Sequence, residues 1–197
     1  PGVPMPRLLW SRAQDGLLLA ASAGCVLIWP RWGPVAAVLS LAVWAAIPAL
    51  APAVRQPLTR RLEQHQRRPM RVLLRMVEGI PATQSVIYAT LGWTAVNWAL
   101  KLVAFAWFLG VVAGLDTETA LLGSIGGELS SVLPLHGVAG AGTYEAGVLA
   151  VLTPLQVALE EALAAAVNLH LFILGASMLG LVPALLPLPV WRTEADR

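Results

Sequence analysis

Apolar residues run in long blocks along this chain, and polar residues gather at the breaks between blocks. Positions 8–29 read as a first helix. Their continuous apolar part, 16–29, is too short for a bilayer core of about 30 Å at about 1.5 Å per residue, and extending the helix back to Leu8 makes up the length. Pro30, Arg31, Trp32, Gly33 and Pro34 then predict a tight turn, because proline and glycine break the helix, and Trp29 and Trp32 suit a membrane interface. A second helix is expected over 34–51, with Pro34 at its first position and a kink at Pro48. The stretch 55–78 is polar and basic, and inside it 70–77 is short and amphipathic, with Arg71 and Arg75 one turn apart. Such a segment suits an anionic lipid surface. Positions 80–115 exceed one perpendicular span, so a tilted helix, or one that begins below the membrane, is expected there.

The pattern changes after the polar turn at Asp116, Thr117 and Glu118. Positions 120–133 are apolar but only half a span long, 134–143 hold too much glycine and proline for regular helix, and 144–152 are another half-span. Two half-helices around a glycine-rich break predict a re-entrant hairpin or broken helix over 120–153. Thr153, Pro154 and Gln156 read as the start of a last helix: a threonine cap, proline at the first position and glutamine closing the capping box. Glu160 and Glu161 fall in its first turns, where the helix dipole favours carboxylates, and Pro183 ends it after about Val182.

Composition settles the class. The chain is 57% hydrophobic and 12% charged, with mean hydropathy +0.71, whereas roughly a quarter of a soluble domain is charged. The apolar runs are too long for alternating barrel strands. An all-α, polytopic integral membrane protein follows, with 1–197 a single transmembrane domain. Of the thirteen basic residues only Lys101 is a lysine, which reads as genome bias. Cys25 is the sole cysteine and, inside an apolar run, reads as a buried, inert thiol. The chain opens on Pro1 without the pattern of a signal peptide, and reads as a fragment or as a protein whose beginning lies elsewhere.

Charge sets the orientation. Arg55, Arg60, Arg61, Arg67, Arg68, Arg71 and Arg75 make 55–78 cytoplasmic by the positive-inside rule, in the inner (plasma) membrane of a bacterial cell. The Pro1 end is then cytoplasmic, and the turns at Arg31 and at Asp116 face outward. Topology explains the arginines without a nucleic-acid partner.

The candidate chemistry centres on 133–146, which read LPLHGVAGAGTYEA. Hydrocarbon tolerates irregular backbone only where protein or water covers it, and a carboxylate only with a partner or a task. Gly137, Gly140 and Gly142 let the chain turn and expose amides that can hold an anion such as a phosphate. Close helix packing would also use small residues, but it leaves the nearby Glu145 unexplained. The expected partners of Glu145 are the loop amides, Lys101, His136 or Tyr144. Glu128, in the first half-helix, is a further candidate. Asn97 and Lys101 share one face of the long helix. Lys101 lies inside the hydrocarbon if the span centres on 98–110, and at the interface if the span sits earlier. Arg12 and Asp15, spaced i, i+3, form either an interfacial ion pair or a headgroup contact, and we read the ion pair. His136 and His170 show no H-x-x-x-H or H-E-x-x-H spacing, so no metal and no cofactor are expected, and His170 is paired with Asn168 in the interior. Ser130 and Ser131 lack the context of a catalytic serine.

Leu133, Pro134, Gly137, Gly140, Gly142, Thr143, Glu145 and Ala146 resemble the signature loop of the lysylphosphatidylglycerol synthase transmembrane family. Arg12 and Asp15 before an apolar helix are similar to that family's arginine-x-x-aspartate element, and the order of helices and basic loop is similar too. The resemblance spans essentially the whole chain and corresponds to the later part of the family domain, without its earlier helices. It implies handling of a phospholipid or polyprenyl-linked lipid, as in members that carry aminoacylated phosphatidylglycerol across the membrane. The soluble aminoacyltransferase domain is absent from this sequence, so that reaction is not implied. Family members often place an arginine in the last helix, where this chain has Asn168 to His170.

The expected function is therefore lipid translocation of a flippase-like kind, or lipid-headgroup binding. Glu145, Gly137, Gly140, Gly142, His136, Lys101, Glu128, Arg12 and Asp15 are the candidate lipid-contacting residues, and no catalytic motif is present. The alternatives are a membrane-embedded enzyme acting on a lipid-linked sugar, and a non-catalytic partner subunit. The expected partners are membrane lipid and a second copy or another chain that supplies the missing helices. An enzyme would bring two titratable groups within hydrogen-bond reach, and a transporter would show a polar cavity without such an acid–base pair.

Overall fold

The computed structural model describes residues 5–64, 68–81, 83–132 and 140–185, and among these the chain forms helices and turns with no strand. The helices are α1 (Met5–Glu63), α2 (Arg68–Glu78), α3 (Gln84–Ala113), α4 (Thr117–Val132), α5 (Thr143–Leu152) and α6 (Leu159–Leu185). Among the described residues three segments are long and apolar enough to cross a membrane: Met5–Pro30, Gln84–Ala113 and Leu159–Leu181.

The expected turn over 30–34 narrows to one residue. Helix continues through Pro30, and the chain reverses at Gly33, whose φ of 74° and ψ of 177° lie where a side chain would be strained. The two arms of α1 fold back on each other, so that Trp10 of the first and Ala51 of the second pack in one apolar cluster. The second arm runs on to Glu63, well past the expected end at 51. Arg55, Arg60 and Arg61 therefore sit on helix and not in a loop. On α2, Met70, Leu74 and Val77 turn inward onto this cluster, while Arg71 and Arg75 stay exposed.

Helix α3 organises the interior. Its Ile87 belongs to the cluster with Ala51, Leu62, Val77 and Ile80. One level on, Trp98 and Leu102 pack with Leu19 of α1 and Ile125 of α4. Phe105, Ala106 and Leu109 then meet Tyr144, Val148 and Leu152 of α5 and Ala162, Ala165, Ala166 and Leu169 of α6. The opposite face of α3 is equally apolar but exposed: Trp93, Val96, Leu100, Val103, Trp107 and Val111 recur at helical spacing. A helix apolar on both faces needs an apolar solvent. The ends of the molecule differ in charge. Arg7 and Arg55 share a cavity at one end. Trp29 and Pro30 share another with Thr117 and Glu118 at the far end.

Asp116 starts α4. Its Oδ1 accepts the N–H groups of Glu118 (3.0 Å) and Thr119 (3.1 Å), which the first turn of the helix leaves without partners. The Thr119 hydroxyl, then the Thr119 and Glu118 amides, hold its carboxyl below the usual range against a smaller opposing effect of burial. The charged form is thus favoured by folding. Its contribution is complete above the unfolded-state value and is lost as pH falls through the lower folded value. Asp116→Ala is expected to cost about 0.5–1 kcal/mol near neutral pH. The gap in thermal midpoint between parent and variant should close as the pH is lowered through the carboxylate range, and a gap that stays constant with pH would contradict this role.

The last helix starts later than its sequence suggests. Thr153 closes α5, its N–H donating to the Leu149 carbonyl, and 153–156 form a turn completed by Gln156 at φ 66°. Helix resumes at Leu159, with Glu160 and Glu161 in its first turn as expected. The pattern at 153–156 serves a turn: the Leu152 carbonyl accepts the Leu155 and Val157 amides, and Gln156 at φ 66° leaves the right-handed helical region.

Candidate functional site

The two short helices α4 and α5 form an antiparallel pair. A Cβ added to Gly123 would meet Leu152, one on Gly126 would meet Gly147 and Val151, and one on Gly127 would meet Tyr144. The paired positions rise in one helix as they fall in the other. At roughly 1.5 Å per residue, 16 residues of α4 and 10 of α5 extend about 24 Å and 15 Å, both short of a bilayer core. Gly140 and Gly142, each at φ 81°, carry the turn into α5. His136 and Gly137 lie outside the described residues.

This hairpin, with α3 and α6 beside it, borders an open cavity of about 430 Å³ lined among others by Lys101, Glu128, Ser130, Ser131, Tyr144 and His170. Two ion pairs flank it. Lys101 Nζ donates to Glu128 Oε2 at 3.0 Å, with the Glu128 side chain 6% exposed. The ammonium also lies 4.2 Å from the centroid of the Trp98 ring and 5.5 Å from that of Phe105, close enough for cation–π attraction. Lys101 is thus held by a carboxylate and two aromatic rings, with its own side chain 36% exposed.

Glu145 forms the second pair. One carboxylate oxygen, Oε2, accepts the Gly142 N–H at 2.7 Å, and the other, Oε1, lies 2.6 Å from His170 Nδ1. An ionised carboxylate only accepts, so the proton of this bond resides on Nδ1. The Nε2 end of the ring then lies beside Gly140. Among the expected partners of Glu145, a loop amide is found, Lys101 goes to Glu128 instead, and Tyr144 contributes ring contact with His170 at 5.0 Å between centroids. The expected pairing of His170 with Asn168 is replaced by the bond to Glu145, because the two residues leave α6 in different directions: His170 is buried and Asn168 exposed. Glu145 stands behind His170, and it is the histidine that lines the cavity. The Tyr144 hydroxyl is buried without a hydrogen-bond partner among the described residues.

Arg12 and Asp15 join the site indirectly. Their own contact is long, 3.9 Å, with Arg12 69% exposed, so it contributes little. Asp15 Oδ1 instead accepts the indole N–H of Trp98 at 3.0 Å. Trp98 therefore ties Asp15 through its N–H and Lys101 through its ring face. Sequence reasoning missed Trp98, and its place next to Asn97 and three residues before Lys101 offered only a faint signal. No group of three or more potential metal-ligating side chains occurs among the described residues. Comparison of the chain with protein-family models, with curated proteins and with solved structures found no match.

Proposed function

We propose that this chain is a polytopic membrane protein whose α4–α5 hairpin re-enters the bilayer and binds a lipid headgroup, in support of lipid translocation. The observation that carries the reading is the pair of ion pairs, Lys101–Glu128 and Glu145–His170, held beside one cavity inside an apolar helical bundle. Charge placed at such depth is costly and marks a substrate path by default. The lysine ammonium and the histidine ring would meet a headgroup phosphate, and Glu128 would meet a headgroup hydroxyl or amine. The resemblance of the 133–146 loop to the lysylphosphatidylglycerol synthase transmembrane family points the same way. The arginine-bearing end, with Arg7, Arg55, Arg60 and Arg61, would face the cytoplasm.

A second reading, an enzyme acting on a lipid-linked sugar, has one observation in its favour: the 2.6 Å contact between Glu145 and His170 is a positioned acid–base pair. Such a pair is what an enzyme, and not a transporter, is expected to show; the translocation reading answers it with Glu145 standing behind His170, off the cavity wall, its second oxygen holding the turn at Gly142.

Glu145→Gln removes the charge and keeps the shape. In reconstituted vesicles, with any further helices supplied, this variant should be expressed normally and lose at least about tenfold in lipid translocation, the order expected for a charge-assisted bond of about 1.5–3 kcal/mol. Translocation at the parental rate by well-folded Glu145→Gln would defeat the reading. Conversion of the lipid into a new product, abolished by the same variant, would favour the enzyme.

A further inference from the structure

We propose that the arginine-rich end of the molecule holds a second binding site, separate from the hairpin, for a phosphate group carried on a small hydroxyl- or amine-bearing headgroup. A cavity of about 870 Å³ opens there, twice the size of the hairpin cavity, within the usual range for small-molecule sites. Four elements build it. The first arm of α1 contributes Arg7 and Trp10, the second arm Arg55, the end of α2 Glu78, and the start of α3 Trp93. The residues come from 7 to 94 in sequence and meet only because Gly33 folds α1 back on itself.

The chemistry of the wall is specific. Two arginines line one space, and guanidinium matches phosphate in charge and in the fork of its donors. The Arg55 side chain is aimed by a bond to the Glu78 carbonyl at 3.4 Å, and it also borders a smaller cavity with Arg60. The indole N–H of Trp10 is buried in the same wall, yet has no acceptor among the described residues. A buried donor without an acceptor is costly and is seldom left so; the N–H is closed off from the cavity in this structure, and a phosphate oxygen would satisfy it once the Trp10 ring turns toward the space. Glu78 also lines the space, and its carboxylate would oppose a bare polyanion but accept from a hydroxyl or ammonium next to the phosphate. Trp93, 77% exposed, stands at the mouth where an aromatic ring suits the boundary between headgroup and acyl chain.

A lipid headgroup and a water-soluble phosphate ester share this chemistry, and titration separates them. The full chain in neutral detergent at about 0.1 M salt would be titrated calorimetrically with inorganic phosphate, glycerol phosphate, short-chain phosphatidylglycerol and short-chain diacylglycerol. Binding of phosphatidylglycerol and not of diacylglycerol is expected. Competition by glycerol phosphate would show that the headgroup suffices, and its failure that acyl chains are needed. Arg55→Gln and Arg7→Gln should each weaken binding about tenfold and Trp10→Phe about threefold to tenfold, as expected for charge-assisted and neutral donors. Arg71→Gln makes the same charge change on the exposed face of α2 and should shift affinity less than about twofold. The hairpin would take up the same headgroup, so the titrations are repeated in a Glu145→Gln background, where the losses in Arg55→Gln and Arg7→Gln should persist, and the result then does not depend on the hairpin reading. Should Arg55→Gln fail to fold, Trp10→Phe and Arg7→Gln carry the test. The proposal is overturned if no phosphate-bearing probe saturates, if the folded cavity variants bind like the parent, or if Arg71→Gln weakens binding as much as Arg55→Gln.

Discussion

Lys101→Met is expected to destabilise the protein by about 2–3 kcal/mol, below the roughly 3–5 kcal/mol for removing one member of a fully buried ion pair because the lysine side chain is 36% exposed. The cause lies in what the substitution leaves behind. Glu128 is buried within α4, its side chain 6% exposed, and its carboxylate takes its one side-chain hydrogen bond among the described residues from Lys101. Without the ammonium, the carboxylate must take up a proton or stay charged in an apolar setting, and either costs free energy. Methionine fills nearly the same volume, so packing against Trp98 and Phe105 is largely kept and the loss reports on charge. The partner variant should behave differently. Glu128→Gln leaves a lysine that is 36% exposed and still attracted by two aromatic rings, so its cost should be smaller, about 1 kcal/mol. The double variant Lys101→Met, Glu128→Leu removes both charges and should recover most of the stability lost in Lys101→Met. Unfolding of the detergent-solubilised proteins gives all three values. A double variant as unstable as Lys101→Met would mean that the lysine stem, and not the stranded carboxylate, is the source of the loss.

How much of this was legible in the sequence depends on how local the cause was. Helices α3 and α6 follow from unbroken apolar runs, and the short α4 and α5 from half-length runs around the glycines at 137, 140 and 142. Glu145, Glu128 and Lys101 stood out because a charge inside an apolar block has few explanations. Their pairing did not stand out. Lys101 and Glu128 lie 27 positions apart, Glu145 and His170 lie 25 apart, and each pair exists only because α3 packs on α4 and α5 on α6. The role of Trp98 is legible only after Asp15 of α1 is known to cross beside it. At 153–156 the local pattern was misleading, since the same threonine, proline and glutamine that can open a helix here close a turn. The glycines that turned out to set helix contact were also overlooked. Gly123, Gly126, Gly127 and Gly147 lie inside regular helix, where glycine carries no turn signal.

Those helical glycines carry the other large expected effect. Gly147→Leu should destabilise the protein by about 3 kcal/mol, at the upper side of overpacking costs. A Cβ at position 147 would sit 2.5 Å from the Gly126 carbonyl oxygen and 2.7 Å from Ser130 Cβ, and one at Gly126 would sit 2.5 Å from the Gly147 oxygen. The obstacle on both sides includes backbone, which cannot swing away as a side-chain tip can. The two helices must separate, and separation disturbs the Tyr144 ring on Gly127 and, beside it, the alignment of Glu145 with His170. Gly147→Ala is the sharper test of cause, because intrinsic helix propensity alone favours alanine over glycine by about 1 kcal/mol. Gly92 and Gly175 lie in α3 and α6 with nothing near the added Cβ, so alanine there should stabilise by up to about that amount. Opposite signs for one substitution in three helices would isolate the close approach of α4 and α5 as the cause. If Gly147→Ala stabilises like Gly92→Ala in the same unfolding assay, the helices are not in backbone contact, and the hairpin geometry that positions His170 over the cavity would have to be abandoned.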